Sequence, residues 1–195
     1  MDGESPPSSE QRAMMWKSID FPSRGGSYPR TQEYIAALDR RLANGSALFE
    51  TFGIPVHPIL EWYVESEDFA DSGLLQHFWS RPTPARVLPY ELHSASFQKK
   101  SLFTSFTAFH LGAALSESLY WGGAYSDRDH YATEARKLGE AAAEELLAGD
   151  YEEPEFFQSR EAWSGFFLNG RWDNTIVLVR PHERLIHVLM STDAD

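Results

Sequence analysis

The chain contains no cysteine. A disulfide, a thiolate nucleophile, an iron–sulfur cluster and a cysteine zinc site are therefore excluded. It also has no GxxxxGKS or GxxxxGKT phosphate loop, no GxGxxG opening a helix after a strand, no HExxH and no GxSxG. The commonest nucleotide, metalloprotease and esterase chemistries have no support in such a sequence. No window approaches the ~18 consecutive apolar residues of a membrane helix. Residues 1–30 lack the basic start and apolar stretch of a secretory signal, so a cytoplasmic protein is expected. Basic residues are scarce as well: 17 against 29 acids, a net charge of −12. That balance repels phosphate backbones and anionic membrane surfaces, so neither nucleic acid nor membrane is expected as a partner. A basic protein is attracted by the same charge.

What is present is enough apolar material for a core. The 195 residues are 42% hydrophobic and 14% aromatic, which suits one soluble domain that folds without staples. Residues 1–29 are dominated by Ser, Pro and Gly and read as a flexible N-terminal tail. Within them Met14, Met15, Trp16, Ile19 and Phe21 form a cluster able to dock on the body or on a partner. Residues 30–195 read as a single α+β domain.

Three helices are expected. The first spans residues 31–42, capped by Thr31 and ended by Asn44-Gly45, with Tyr34, Ile35, Leu38 and Leu42 at helical spacing. The second spans 97–120. It carries the stripe Leu102, Phe106, Phe109 and Ala113 and has no charge between Lys100 and Glu117, the pattern of a buried central helix. The third spans 127–147, with Tyr131, Ala135, Leu138, Ala142 and Leu146 on one side and glutamates on the other. Between the first two helices, Pro55, Pro58, Pro82, Pro84 and Pro89 imply irregular structure, with short strands at 59–64 and 86–90 and a short helix at 71–79.

The last third has β character. Residues 163–168 and 172–180 flank Asn169-Gly170, a preferred two-residue hairpin turn. Pro181-His182-Glu183 then leads into a third strand at 185–192. The fold class is thus α+β: two or three main helices packed on a C-terminal three-stranded antiparallel meander. Aliphatic residues at 176–179 imply cover on both faces of the sheet.

The candidate chemistry is sparse. Seven histidines are present and no two are one helical turn apart, so no metal site or cofactor is expected. His130 and Glu134 are one turn apart, beside Asp127 and Asp129, and read as an acidic first helical turn. Pairing Val179 with Leu185 in the meander places Asp173, Thr175, His187, Ser191 and Asp193 on one face. The Asp-to-His separation is too long for a nucleophile triad, so the face reads as a polar, half-exposed strand end and, as a functional face, as a ligand or protein contact surface.

The strongest signal lies between residues 127 and 161, where eleven acids face four bases. Glu140, Glu144 and Glu145 share the outer side of the third helix. Tyr151, Glu152, Glu153 and Phe156 follow in the loop. Acids steer a basic partner and rings supply contact area. The expectation is a small acidic protein-binding module, an immunity- or antitoxin-like inhibitor that occludes a basic protein; whether it is also an enzyme is left open, with the reading leaning against it. The alternative is a small-molecule binder or enzyme. Its pocket, between the 97–120 helix and the sheet, would be lined by His110, Trp121, Asp173 and His187.

Overall fold

The computed structural model describes residues 5–66, 69–89, 102–127 and 130–195. Residues 97–101 of the expected second helix, Tyr90 of the strand expected at 86–90, and residues 128–129 of the expected third helix lie outside them. The described residues form an α+β fold with seven α-helices and a five-stranded antiparallel sheet. The strands are β1 (Ser46–Gly53), β2 (Thr104–Thr107), β3 (Glu155–Ser159), β4 (Asn174–Arg180) and β5 (Leu185–Thr192), in the spatial order β1-β5-β4-β3-β2.

Both faces of the sheet are buried at β4 and β5, as the aliphatic run at 176–179 implies, whereas β2 is exposed along its length. One face presents Phe156, Ile176, Leu178 and Leu189 to α2 (Pro29–Asp39), α6 (Leu111–Trp121) and α7 (Ala132–Leu147). The other presents Val177, Val179, Ile186, Val188 and Met190 to α1 (Ser9–Ser18), α3 (Pro58–Glu65) and α4 (Leu74–Phe78). A short α5 (Pro82–Val87) precedes the buried Leu88.

The N-terminal segment differs from the expected tail. Ser8 and Gln11 form a reciprocal capping box that starts α1. Met15, Trp16, Ile19 and Phe21 are buried in the core, while Met14 is exposed. The cluster is therefore docked on its own chain. Just beyond it, Arg24 donates its backbone N–H to Thr51, and Gly53 donates to Pro22, which covers one end of the β1 edge.

Several expected elements change identity for local reasons. Residues 59–64 form helix α3 rather than a strand, because Pro58 opens the first turn and His57 Nδ1 accepts from the Ile59 N–H. Residues 86–89 are likewise no strand: Pro82 starts α5, which takes in Arg86 and Val87. The expected helix at 71–79 is divided into a 3-10 turn, Phe69–Ser72, and α4. Residues 46–53, expected as irregular, form edge strand β1, which ends before Pro55. The second helix begins only at Leu111. Before it, Thr104, Ser105, Phe106 and Thr107 are extended as β2, where β-branched Thr and Phe favour a strand. The buried stripe of α6 is Leu111, Leu115 and Leu119. The third helix begins at Ala132 rather than 127, leaving Tyr131 half-buried at its N-cap, and keeps the rest of its expected stripe: Ala135, Leu138, Ala142 and Leu146 are buried.

The meander is larger than expected and arranged differently. Residues 163–168 do not pair with β4; β3 takes that place. Trp163 is instead buried in the core, with its indole N–H donating to Thr175 Oγ1 at 2.9 Å. Asn169 has the left-handed φ of 59°, but its turn is tied to β5 by the Leu168 N–H, which donates to Thr192 Oγ1. The β4–β5 register is shifted by one: Val179 pairs with Ile186, and Leu178 with His187. The cause is the connection, which uses four residues and places Arg184 at φ 56°. A one-residue shift exchanges faces. Thr175 and His187 therefore lie on opposite sides of the sheet. Asp173, Thr175, His187, Ser191 and Asp193 are all buried, so they offer no contact surface.

The end of β5 fastens the loops between layers. Asp193 Oδ1 accepts from the Asn44 N–H at 2.7 Å; its Oδ2 accepts from Ala43 at 3.2 Å and Ala124 at 2.8 Å. Gly123 and Gly45 permit this closeness, since a Cβ on Gly123 would overlap the Asp193 carboxylate and one on Gly45 the Thr192 carbonyl. Burial alone would raise the Asp193 pKa; the backbone N–H groups outweigh it and hold the carboxyl below its ordinary value. Its folded pKa is thus depressed, so its contribution is complete above the unfolded value and fades as pH falls through the folded one. Asp193→Ala should cost about 3 kcal/mol at pH 7. It should also flatten the decline of stability below pH 4, as read by urea unfolding at both pH values.

Candidate functional site

An exposed pair of stacked aromatic rings lies where β2 gives way to α6. A single 3-10 turn, Ala108–His110, follows β2 and leaves the Phe109 ring 73% exposed. On the other side, Ala148 and Gly149 end α7 with left-handed φ values of 50° and 86°. Asp150 then turns the chain, its Oδ1 accepting from the Glu152 N–H at 3.2 Å. This brings Tyr151 onto Phe109, with ring centroids 5.4 Å apart and 18° between planes.

The stacked pair divides two clefts. The first, about 690 Å³, runs between α6 and α7. Gly112, Ala113 and Ser116 line it, and Glu117, Glu140 and Glu144 carry its charge with Arg136. The second, about 680 Å³, lies below β2 and is lined by Phe69, Phe106, Glu152, Glu153, Glu155 and His182. Together they gather six glutamates against one arginine and one histidine.

Four of these glutamates are already paired. Glu140 meets Arg136 at 2.7 Å, Glu144 meets Arg30 at 3.4 Å, Glu117 meets Arg160 at 2.9 Å, and Glu153 meets His182 at 3.0 Å. All are well exposed pairs, worth about 0–1 kcal/mol each, so an incoming cation displaces them cheaply. Glu152 and Glu155 have no cation partner among the described residues. Burial, and then the charge of Asp71, push the Glu155 carboxyl up to about 7.

Five of the seven residues proposed from sequence meet here: Glu140, Glu144, Tyr151, Glu152 and Glu153. Two do not. Phe156 is 1% exposed and points into the sheet core, because alternation along β3 turns it inward. Glu145 faces α2 instead of solvent. Its carboxylate accepts from the Arg30 N–H at 3.1 Å, and from the Thr31 N–H and hydroxyl at 2.8 Å each. It supplies from α7 the cap that α2 lacks on its own side. Thr31 is accordingly inside the helix and not its cap.

Phe109 and Glu155 were missed. Phe109 fell on an assumed buried helical stripe; the cluster of Thr and Ser at 104–107 was the available sign that the helix starts later. Glu155 was one of many acids, and nothing in sequence marks its burial.

The alternative pocket is only half assembled. Trp121 and Asp173 line one cleft of about 340 Å³. His110 sits at the other end of α6, exposed, with Nδ1 3.0 Å from Thr107 Oγ1. His187 is fully buried between Tyr28 and Phe49, with Nδ1 3.0 Å from Thr51 Oγ1. Burial, with the Arg180 charge second, lowers its pKa to about 3, so it stays neutral. His130 lies outside α7 at φ 62°, and no group of three metal-ligating side chains occurs among the described residues.

Two outcomes are expected. Glu145→Ala should lower stability by about 1–2 kcal/mol in thermal or urea unfolding, the usual cost of a lost cap. Glu155 binds its proton more tightly folded than unfolded, so its effect on stability worsens as pH rises from about 4.5 to 7. Glu155→Gln should therefore stabilise the protein by about 2–3 kcal/mol at pH 8 and hardly at all at pH 4, as measured by urea unfolding.

Comparison of the chain with protein-family models, curated proteins and solved structures finds no match.

Proposed function

We infer that the chain is a protein-binding module that docks a basic protein on the Phe109–Tyr151 face and acts by occluding it, as an immunity- or antitoxin-like inhibitor does. The observation that carries this reading is the exposed Phe109 ring, stacked on Tyr151 between two glutamate-lined clefts. An aromatic anchor beside steering charge is the composition of an interface centre. The net charge of −12 favours fast encounter with a basic partner. Glu140, Glu144, Glu152 and Glu153 form the charged border and Phe109 with Tyr151 the contact area. Among the described residues no helix is long and apolar enough to cross a membrane.

The test is capture from native lysate at low salt and at about 0.5 M salt, where charge interactions are screened within a few Å. The expected result is a stoichiometric basic protein, weakened by salt. Phe109→Ala should reduce its affinity roughly tenfold or more, a loss of about 1.4 kcal/mol or greater. Glu140→Lys combined with Glu152→Lys should slow association. Capture unchanged in the Phe109→Ala protein, or no basic protein at either salt, would overturn the reading.

A further inference from the structure

The cleft at the C-terminal end of α6 lies away from the Phe109 face and has different chemistry. Its volume of about 340 Å³ is at the lower end of the range for small-molecule sites. Leu38 and Leu42 give it an apolar floor, and Trp121 and Trp172 stand at its walls. Trp121 is 43% exposed, an unusual position for so large a ring.

The charges in this cleft are not equivalent. Glu117 and Arg160 neutralise each other at 2.9 Å. Asp173 is buried and turned inward: Thr192 donates its hydroxyl to Oδ1 at 2.6 Å and the Gly170 N–H donates to Oδ2 at 3.0 Å. Asn174 is also engaged, receiving from Gln158 at 2.9 Å and donating to Ser118 at 3.0 Å. Arg171 alone is left over. Among the described residues it makes no ion pair, and its guanidinium sits 5.4 Å from the Trp172 ring centroid. An exposed arginine in a cleft lined by two tryptophans presents a planar fork that suits a carboxylate.

We propose that this cleft binds a small aromatic ring carrying a single carboxylate, the ring against Trp121 and Trp172 and the carboxylate on Arg171. One unpaired cation matches one negative charge. A phosphate monoester, with nearly two charges, leaves one of them unmatched on Arg171.

The probes are naphthoate and its uncharged counterpart naphthamide, titrated into the full-length protein. The readout is the indole N–H resonances of Trp121 and Trp172, assigned with Trp121→Phe and Trp172→Phe. Naphthoate should shift both resonances saturably, with naphthamide binding at least roughly tenfold more weakly. Arg171→Gln should bring naphthoate down to the level of naphthamide, and Arg171→Lys should restore part of the difference. Arg171 is exposed, so these variants keep the fold, and unchanged remaining indole resonances check it. The proposal is overturned if neither indole responds, if the two probes bind equally, or if Arg171→Gln keeps the preference for naphthoate.

Discussion

Segments leaving α2 and α6 converge on one carboxylate at the end of the last strand. Asp193 accepts backbone N–H groups from Ala43, Asn44 and Ala124, donors of the loops that follow α2 and α6. The bond set joins the start of β1 to the end of α6 and fixes both against β5. Arg41 reinforces the same corner: it donates to the Tyr120 and Asp127 carbonyls, and its guanidinium lies 3.9 Å from the Tyr131 ring centroid. The path from α6 into α7, and hence the groove between them, depends on this corner. So does the cleft beside Trp121, which opens next to it.

The helical layer is joined by similar means at its other end. Glu145 of α7 caps α2, and close approach of α7 to α6 rests on Gly139, which packs on Ser116. Two helices held this closely cannot splay, so the residues on their outer faces keep fixed spacing. Glu140 and Glu144 are thereby set beside Phe109 by contacts that lie underneath them.

The sequence made some of this legible for plain physical reasons. α7 shows a stripe of apolar residues against glutamates, and burial follows that stripe. The aliphatic run at 176–179 marked a doubly covered strand. β2 was hidden because Phe106 and Phe109 fit helical spacing equally well, and only β propensity argued otherwise. The register between β4 and β5 was missed by one residue because a left-handed Arg184 cannot be read from residue type; that position is more often Gly or Asn. The acidic aromatic face was legible in composition, yet two of its expected members were structural. Glu145 is tied by a tertiary hydrogen bond, and Phe156 is turned by strand alternation. The first needs the partner helix to be known, and the second needs β3 to be recognised as a strand.

The pairing of β1 has a kinetic consequence. Among the described residues its ladder partner is β5, with Ser46 opposite Thr192, 146 residues further along the chain. At roughly 5–20 residues per second, synthesis leaves β1 without that partner for about ten seconds or more. Loop closure over such a span is slow and is rewarded only once the distant strand arrives. The nascent chain therefore carries Leu48, Phe49 and Phe52 on an open strand through most of its synthesis. Segment 22–24, which bonds to Thr51 and Gly53, is close enough in sequence to shield part of that strand first.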